Sequence, residues 1–253
     1  MLGWAIFFVL ALFLSVFLHP LVTNDMVSDS AYTGFDIIFE DSYLLVIDKP
    51  HGLLSQPDQT GDPDVVSLCK HYLSDKTGTR NPYVGSLHRL DRPVGGLMML
   101  AKTRKAARDL SKQMRDRLVQ KTYHAIVTGR PPSNGVLTHF LIKNKQTNVV
   151  QTASRDQEGG KEATLSFVKI KSVDDLSLLS IHLQTGRTHQ IRVQLAAEGY
   201  PVWGDYKYGR EQPDGRSIAL RSVALAFNHP ENKKEMQFEL EPGIRPPWPK
   251  FSS

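Results

Sequence analysis

The chain has 253 residues, of which 40% are hydrophobic and 23% are charged, and its formal net charge is +5. This composition is ordinary for a globular protein that buries a core. The single cysteine, Cys69, excludes an internal disulfide and a thiolate-rich metal site. The modest basic excess fits a polyanionic partner, and it becomes informative only where the positive charge clusters.

The first segment of the chain is apolar. Residues 2–18 contain no charged side chain, and no Lys or Arg precedes them. The segment is short for a membrane span and long for the apolar region of a secretory signal. We interpret residues 1–30 as a targeting segment or membrane anchor outside the fold. A misassigned start site and an extra buried helix are the alternatives.

The next part of the chain predicts two short strands and a helix. The strands cover residues 36–40 and 43–48, joined by a tight turn. The helix covers residues 62–73 with Pro63 at its start, and a loop over 78–85 follows it.

A strongly basic helix is predicted from residue 104 to about Leu118, with Thr103 as its cap. Its apolar residues share one stripe at spacings of three and four: Ala107, Leu110, Met114 and Leu118. Eight Lys or Arg and only two Asp lie between residues 102 and 121. A solvated face is one interpretation of this run. The imbalance of sign favours a contact with a phosphate backbone.

The second half of the chain is rich in predicted strands. They cover residues 121–129, parts of 136–170, 178–184, 217–227 and 235–240. One face of each strand is apolar, as with Leu179, Ile181 and Leu183. Thr188 is predicted to cap a helix that buries Ile191 and Leu195 and ends at Gly199. Many strands and few helices predict an α+β fold with a mostly antiparallel sheet, in one domain over residues 31–253.

One stretch concentrates the candidate chemistry. Residues 86–101 read SLHRLDRPVGGLMMLA, and Asp91 lies there between Arg89 and Arg92, close to the ionisable His88. A carboxylate among guanidinium groups stays ionised, so Asp91 is a candidate nucleophile or general base. The alternative is an ion pair that only pins a turn, since such pairs are common in structural networks.

Four segments together resemble the RluA-type pseudouridine synthases, in the form without an S4-type RNA-binding domain. They are YLLVIDKPHGLLSQP at 43–57, HRLDRPVGGLMMLAKT at 88–103, KTYHAIVTG at 121–129 and TGRTHQIRVQLAAEGYPVWGDYKYG at 185–209. The resemblance implies a pseudouridine synthase-like fold with flanking helices and an active-site cleft. It also implies the reaction, in which a uridine of structured RNA (tRNA or rRNA) becomes pseudouridine without a cofactor or metal.

The resemblance further implies roles for three residues. Asp91 matches the catalytic aspartate, which attacks the ribose or acts as a base on it. Tyr123 matches the tyrosine that packs on the flipped uracil, although its strand position also suits a core aromatic. Arg192 matches the basic residue that pairs with the aspartate.

RNA contacts are expected from residues beside these motifs and from the basic helix. The resemblance implies that Arg89 helps to displace the target base. At Arg187 and His189 a loop cation without RNA contact is the alternative. The full predicted set is Arg89, Arg92, Arg104, Arg108, Lys112, Arg187 and His189.

Two other functions stay open at this point. One is an inactive RNA-binding or RNA-chaperone protein of the same fold, and the other is a membrane-tethered hydrolase. The second lacks a convincing partner carboxylate for Asp91. We expect a monomer in the cytoplasm or an organelle, with membrane contact possible only through residues 1–30.

Overall fold

The computed structural model describes residues 34–209, 218–241 and 248–251. The predicted segment at 1–30 and the first residue of the predicted strand at 217–227 lie outside these ranges. The single domain over 31–253 therefore stays a prediction.

Within the described residues, one sheet contains eleven strands. These are β1 (Asp36–Glu40), β2 (Leu44–Lys49), β3 (Gly85–Ser86), β4 (Gly95–Ala101), β5 (Gln120–Thr128), β6 (Asn134–Lys143), β7 (Val150–Ala153), β8 (Lys161–Val173), β9 (Leu176–Leu183), β10 (Leu220–Asn228) and β11 (Glu235–Glu239). The helices are α1 (Val65–Thr77), α2 (Arg104–Arg115) and α3 (Gln190–Ala197), with a short 3-10 helix at Trp248–Phe251.

Strand β10 joins two halves of the sheet, one with β1, β2 and β4 and the other with β5 to β9. The order is β1-β2-β4-β10-β5-β9-β8-β6-β7, with β3 beside β4 and β11 beside β10. Every described strand pair is antiparallel except β4 with β10, which meet in parallel at Gly95–Arg221 and Gly96–Ser222. The prediction of an α+β fold with a mostly antiparallel sheet is confirmed.

The parallel junction requires glycine at residue 96. Gly96 has a φ of 113°, which side chains with a Cβ rarely adopt. A Cβ at this position would also overlap the backbone of Ser222 in β10. The glycine therefore lets the two strands approach closely.

Around β2 and β4, both faces of the sheet are covered. Leu45 and Ile47 of β2 pack with α1 and α3 on one face. Leu44 and Val46 of the same strand pack with α2 and β11 on the other. A strand that is buried on both sides needs apolar or small residues throughout, which explains the uninterrupted sequence GGLMMLA of β4.

The helix ends differ in part from the predictions. The start at Pro63 is wrong, because Asp64 is the N-cap of α1 and accepts from the Ser67 N–H. The Thr103 cap of α2 is confirmed, since its side chain accepts from the Ala106 N–H. The predicted end near Leu118 is wrong. The helix ends at Arg115, just before the positive φ of 58° at residue 117, and Leu118 is 54% exposed.

The predicted cap of α3 is also wrong. His189, rather than Thr188, precedes the helix with a φ of 52° and no side-chain cap. The turn is instead organised by Gln190, whose Oε1 accepts from the Arg187 N–H and from the Thr185 hydroxyl. The residues predicted to face inward do so, and Tyr123, Leu179, Ile181, Ile191 and Leu195 are all in the largest core cluster.

Candidate active site

The loop that carries Asp91 connects β3 to β4, and the segment after β2 holds it in place. Ser55 Oγ donates to the Leu90 carbonyl at 2.6 Å and accepts from the Leu90 N–H at 3.0 Å. The Gly52 N–H donates to the Arg92 carbonyl at 2.8 Å. The backbone on both sides of Asp91 is thereby fixed.

A buried lysine ties the same two segments together. Lys49 is fully buried and donates to the carbonyls of Pro50, Leu53 and Arg92. Burial lowers its pKa to about 7, against the attraction of Asp91. Three carbonyl acceptors compensate in part for removing the ammonium group from water.

The side chain of Asp91 meets a guanidinium that a second carboxylate holds. Arg192 donates from Nη1 to Asp91 Oδ2 at 3.0 Å. It also donates to Asp205 from Nε at 2.7 Å and from Nη2 at 2.8 Å. The side chains of Arg192 and Asp205 are 3% and 0% exposed, whereas that of Asp91 is 24% exposed. The bidentate pair is therefore the buried support, and Asp91 is the member that faces the cleft.

The charges of this group are fixed by their contacts. Burial lowers the pKa of Arg192, but Asp205 and Asp91 outweigh burial and leave it raised. The guanidinium is thus permanently charged between two carboxylates. Its planar geometry matches the bidentate carboxylate of Asp205, which fixes the direction of the remaining N–H toward Asp91.

His189 stands beside Asp91 as a neutral side chain. Burial lowers the pKa of His189 to about 4, despite the nearby Asp91. The Tyr208 hydroxyl accepts from the Val150 N–H and lies 2.6 Å from His189 Nδ1, so its own proton is available to that nitrogen. The ring then carries its hydrogen on Nε2, which is 3.8 Å from Asp91 Oδ2.

Tyr123 lies on β5 and lines the same cleft. It is 6% exposed, and burial together with the charge of Asp91 raises the pKa of its hydroxyl. The hydroxyl therefore stays protonated over the physiological range. The residue offers an aromatic surface and a neutral polar group at the cleft wall.

The cleft has a volume of about 700 Å³ and collects most of the predicted residues. Asp91, Tyr123 and Arg192 line it, and so do Arg89, Arg92, Arg187 and His189. Three predicted RNA-binding residues on α2 do not line it: Arg104, Arg108 and Lys112. Their helix reaches the cleft only at its other end, through Met114.

The charges around Asp91 differ from the arrangement that the linear sequence suggests. Arg92 pairs with Asp62 at 2.7 Å and donates to the Gly52 carbonyl, so it does not neutralise Asp91. Arg89 is exposed and forms no ion pair with any described residue. The counter-charge comes from Arg192, 101 residues further along the chain.

The description of His88 as an ionisable neighbour of Asp91 is wrong. Burial, together with the nearby charge of Lys121, lowers the pKa of His88 to about 3. Its Nε2 accepts from the Met99 N–H, so the ring is a neutral structural acceptor.

Sequence reasoning missed three supporting residues: Asp205, Ser55 and Lys49. Each lies within a segment that the family resemblance includes, but none shows a periodic pattern. Asp205 had one available signal, because it is one of only two acids in the segment 185–209, which also contains Arg192. Among the described residues, no group of His, Cys, Asp and Glu is arranged to hold a metal ion.

A fixed carboxylate in a cleft whose charged side chains are mainly cationic is the arrangement of an enzyme that acts on a polyanion. The family model described as RNA pseudouridylate synthase matches residues 43–197 of the chain. The chain belongs to this family, and it is an RNA pseudouridine synthase of the RluA type.

The relatives agree with this assignment. The chain is 32% identical over 223 residues to "Ribosomal large subunit pseudouridine synthase D" of Zymomonas mobilis, and the match covers 81% of this chain and 68% of that protein. It is 35% identical over 211 residues to "Uncharacterized RNA pseudouridine synthase YlyB" of Bacillus subtilis, with 81% and 68% covered.

A solved structure has the same fold. The chain matches human "RNA Pseudouridylate Synthase Domain Containing 4" with a TM-score of 0.71 at 22% identity, covering 85% of this chain and 91% of that one. The solved structure confirms the predicted fold, and the family match and the relatives confirm the predicted family and the conversion of uridine to pseudouridine in RNA. The hydrolase and RNA-chaperone alternatives find no support. The described helices include none with the length and apolar character needed to cross a membrane.

Proposed function

We propose that the protein isomerises a uridine of large-subunit ribosomal RNA, with Asp91 as its catalytic carboxylate. The observation that carries the role of Asp91 is its geometry. It is a partly exposed carboxylate beside the buried Arg192–Asp205 pair, it lines the cleft, and Arg192 Nη1 donates to its Oδ2 at 3.0 Å. A reacting carboxylate needs this combination of access, charge and fixed direction.

Asp91 has two chemical options in this reaction. It can attack the anomeric carbon of the ribose, or it can remove a proton from the sugar while the N-glycosidic bond breaks. In both cases the uracil leaves through nitrogen 1, turns and bonds to the anomeric carbon through carbon 5, which then loses its proton while nitrogen 1 gains one. In the first option carbon 5 displaces the Asp91 carboxylate from the anomeric carbon, and in the second the proton taken by Asp91 returns to the sugar. Arg192 donates to Asp91 Oδ2 and so holds the carboxylate in the direction that either option requires.

Tyr123 serves the detached uracil in this proposal. Its ring lies on the cleft wall, where it supports the base by stacking. Because the hydroxyl keeps its proton, it acts as a hydrogen-bond donor rather than as an anionic base. Arg89 is exposed at the cleft, so it is free to enter the space that the flipped base vacates. Flipping costs a few kcal/mol, which this contact and the other cleft cations offset.

The substrate class rests on the names of relatives. The matched proteins of Zymomonas mobilis and Nitrosomonas europaea are both named ribosomal large subunit pseudouridine synthase D. A transfer RNA is the competing substrate, since the cleft itself recognises a phosphate backbone and a uridine rather than one class of RNA.

The test combines one substitution with two substrates. Unmodified transcripts of large-subunit ribosomal RNA and of tRNA are incubated with the protein, and the digested nucleosides are separated by chromatography. We expect pseudouridine in the ribosomal transcript only. Asp91→Asn should abolish the product while RNA affinity stays within about twofold, and Asp58→Asn, at another carboxylate of the cleft, should retain activity.

Two outcomes would contradict the proposal separately. Product from Asp91→Asn would remove the catalytic role, and product in the tRNA alone would remove the substrate assignment. A monomer in the cytoplasm or an organelle also belongs to the proposal, and light scattering together with the mass and location of the mature protein tests it. The same mass decides whether residues 1–30 are retained as an anchor or removed as a targeting segment.

A further inference from the structure

Lys121 is a cleft-lining cation without a described partner. It lies on β5, is half-buried and lines the same cleft as Asp91. No hydrogen bond or ion pair joins its Nζ to any described residue. By contrast, Arg92 pairs with Asp62, and Lys207 donates to the Asn148 carbonyl.

Burial makes this unpaired charge unusual. Arg89 and Lys143 also lack a described partner, but both are exposed, so water satisfies them. Burial lowers the pKa of Lys121, and no carboxylate offsets this effect. A half-buried ammonium group with no acceptor costs free energy, which a bound anion would recover.

Lys121 lies close to Tyr123, the residue proposed to stack on the uracil. Side chains two residues apart on a strand share a face and are about 6.6–6.8 Å apart at their Cα atoms. Lys121 and Tyr123 are such a pair. Their separation is similar to the distance between a nucleobase and a phosphate of its own nucleotide, so one flipped nucleotide can reach both.

The surroundings of the ammonium leave room for an anion. Lys121 Nζ lies 3.8 Å from the position that a Cβ on residue 186 would occupy, and glycine leaves that space open. The Gly186 N–H has no protein acceptor among the described residues, so it can act as a second donor. His88, whose pKa Lys121 helps to lower, is neutral at physiological pH and adds no charge beside the ammonium.

We propose that Lys121 binds a backbone phosphate next to the flipped uridine and so positions that nucleotide over Tyr123. The proposal rests on the proposed function, because it takes RNA as the occupant of the cleft. It assigns Lys121 a positioning role in RNA binding that is separate from the chemistry at Asp91.

The test replaces Lys121 by Met, which keeps the length of the side chain and removes its charge. Binding of an unmodified large-subunit ribosomal RNA transcript is measured as a function of salt. We expect the slope of log affinity against log salt to fall by about 0.7–0.9, which corresponds to one lost phosphate contact. Lys121→Arg should restore the slope.

A second readout separates this role from a structural one. Because burial disfavours the charged form of Lys121 and no carboxylate compensates, Lys121→Met should raise the melting temperature by about 2 °C or more. The matched control is Lys169→Met, since Lys169 is half-buried outside the cleft and donates to the Pro131 carbonyl. That variant should keep the salt slope and should not gain thermal stability.

The outcomes distinguish this proposal from the proposed function. An unchanged salt slope in Lys121→Met, or a lower melting temperature, would overturn the phosphate role even if the wild-type protein modifies the transcript. Failure of the wild-type protein to form pseudouridine in the transcript would instead refute the substrate assignment, and the melting comparison would still test Lys121.

Discussion

Removing the charge of Asp205 tests whether the buried pair supports the site. Asp205→Asn keeps the shape of the side chain but leaves Arg192 with Asp91 as its only carboxylate. The Asp205 side chain is fully buried, and it accepts two bonds from Arg192 and one each from the N–H groups of Lys207 and Tyr208. Removing one member of a buried ion pair costs about 3–5 kcal/mol.

The effect of Asp205→Asn can be measured on thermal stability and on the reaction rate. For a chain of this size, 1 kcal/mol shifts the melting temperature by about 2–4 °C, so the fall should be roughly 6–20 °C. The rate of pseudouridine formation under single-turnover conditions should fall at least about tenfold, which equals about 1.4 kcal/mol in the barrier. RNA affinity should change little, because Asp205 is shielded from the cleft.

An exposed ion pair provides the control. Asp174 pairs with Lys250 at 3.0 Å, and its side chain is 71% exposed. Asp174→Asn should therefore change the free energy of unfolding by no more than about 0.5 kcal/mol. If Asp205→Asn were as stable and as active as this control, the claim that Asp205 holds Arg192 in place would be refuted.

Three further predictions concern pH, packing and RNA affinity. Because burial lowers the pKa of His88 to about 3, the unfolded chain takes up the proton first, so stability falls as pH drops below about 6.5. In urea titrations between pH 6 and 4, His88→Gln should reduce the loss of unfolding free energy by about 1.4 kcal/mol per pH unit. The same dependence of stability on pH in this variant and in the wild type would contradict the prediction. Gly96→Ala should lower the free energy of unfolding by more than about 4 kcal/mol. Gly199→Ala, at a positive φ with open space, should lower it by about 1 kcal/mol. Equal losses would argue against a clash between a Cβ at residue 96 and the Ser222 backbone. Arg108→Glu with Lys112→Glu should weaken RNA binding more at low salt than at high salt, and equal effects would place that helix face in solvent.

The sequence was sufficient to select Asp91, Tyr123 and Arg192 as candidates, because each lies in a segment that resembles a family motif. The two-residue period of β5 predicts the face that Tyr123 shares with Ala125 and Val127, but it predicts only a core aromatic there. Asp91 is identified by its motif, and Arg192 by another. The long-range pairing of these two residues came from the family resemblance, since local patterns carry no information about contacts 101 residues apart.

The contacts that the sequence did not predict depend on tertiary structure. Asp205 carries no periodic signal, and its role exists only because the fold brings it to Arg192. Thr188 has the residue type of a helix cap, yet Gln190 organises the turn from inside the helix. His88 seemed ionisable because of its neighbours in sequence, whereas its environment is set by β4, which supplies the Met99 N–H.

The parallel junction of β4 and β10 has a consequence for the newly made chain. Strand β10 lies between β4 and β5 in the sheet, although it follows both by about a hundred residues in the chain. Until residues 220–228 leave the ribosome, the half that carries Asp91 and the half that carries Arg192 have no strand to join them. A nascent chain therefore contains both Asp91 and Arg192 before β10 can join the strands that carry their surroundings into one sheet.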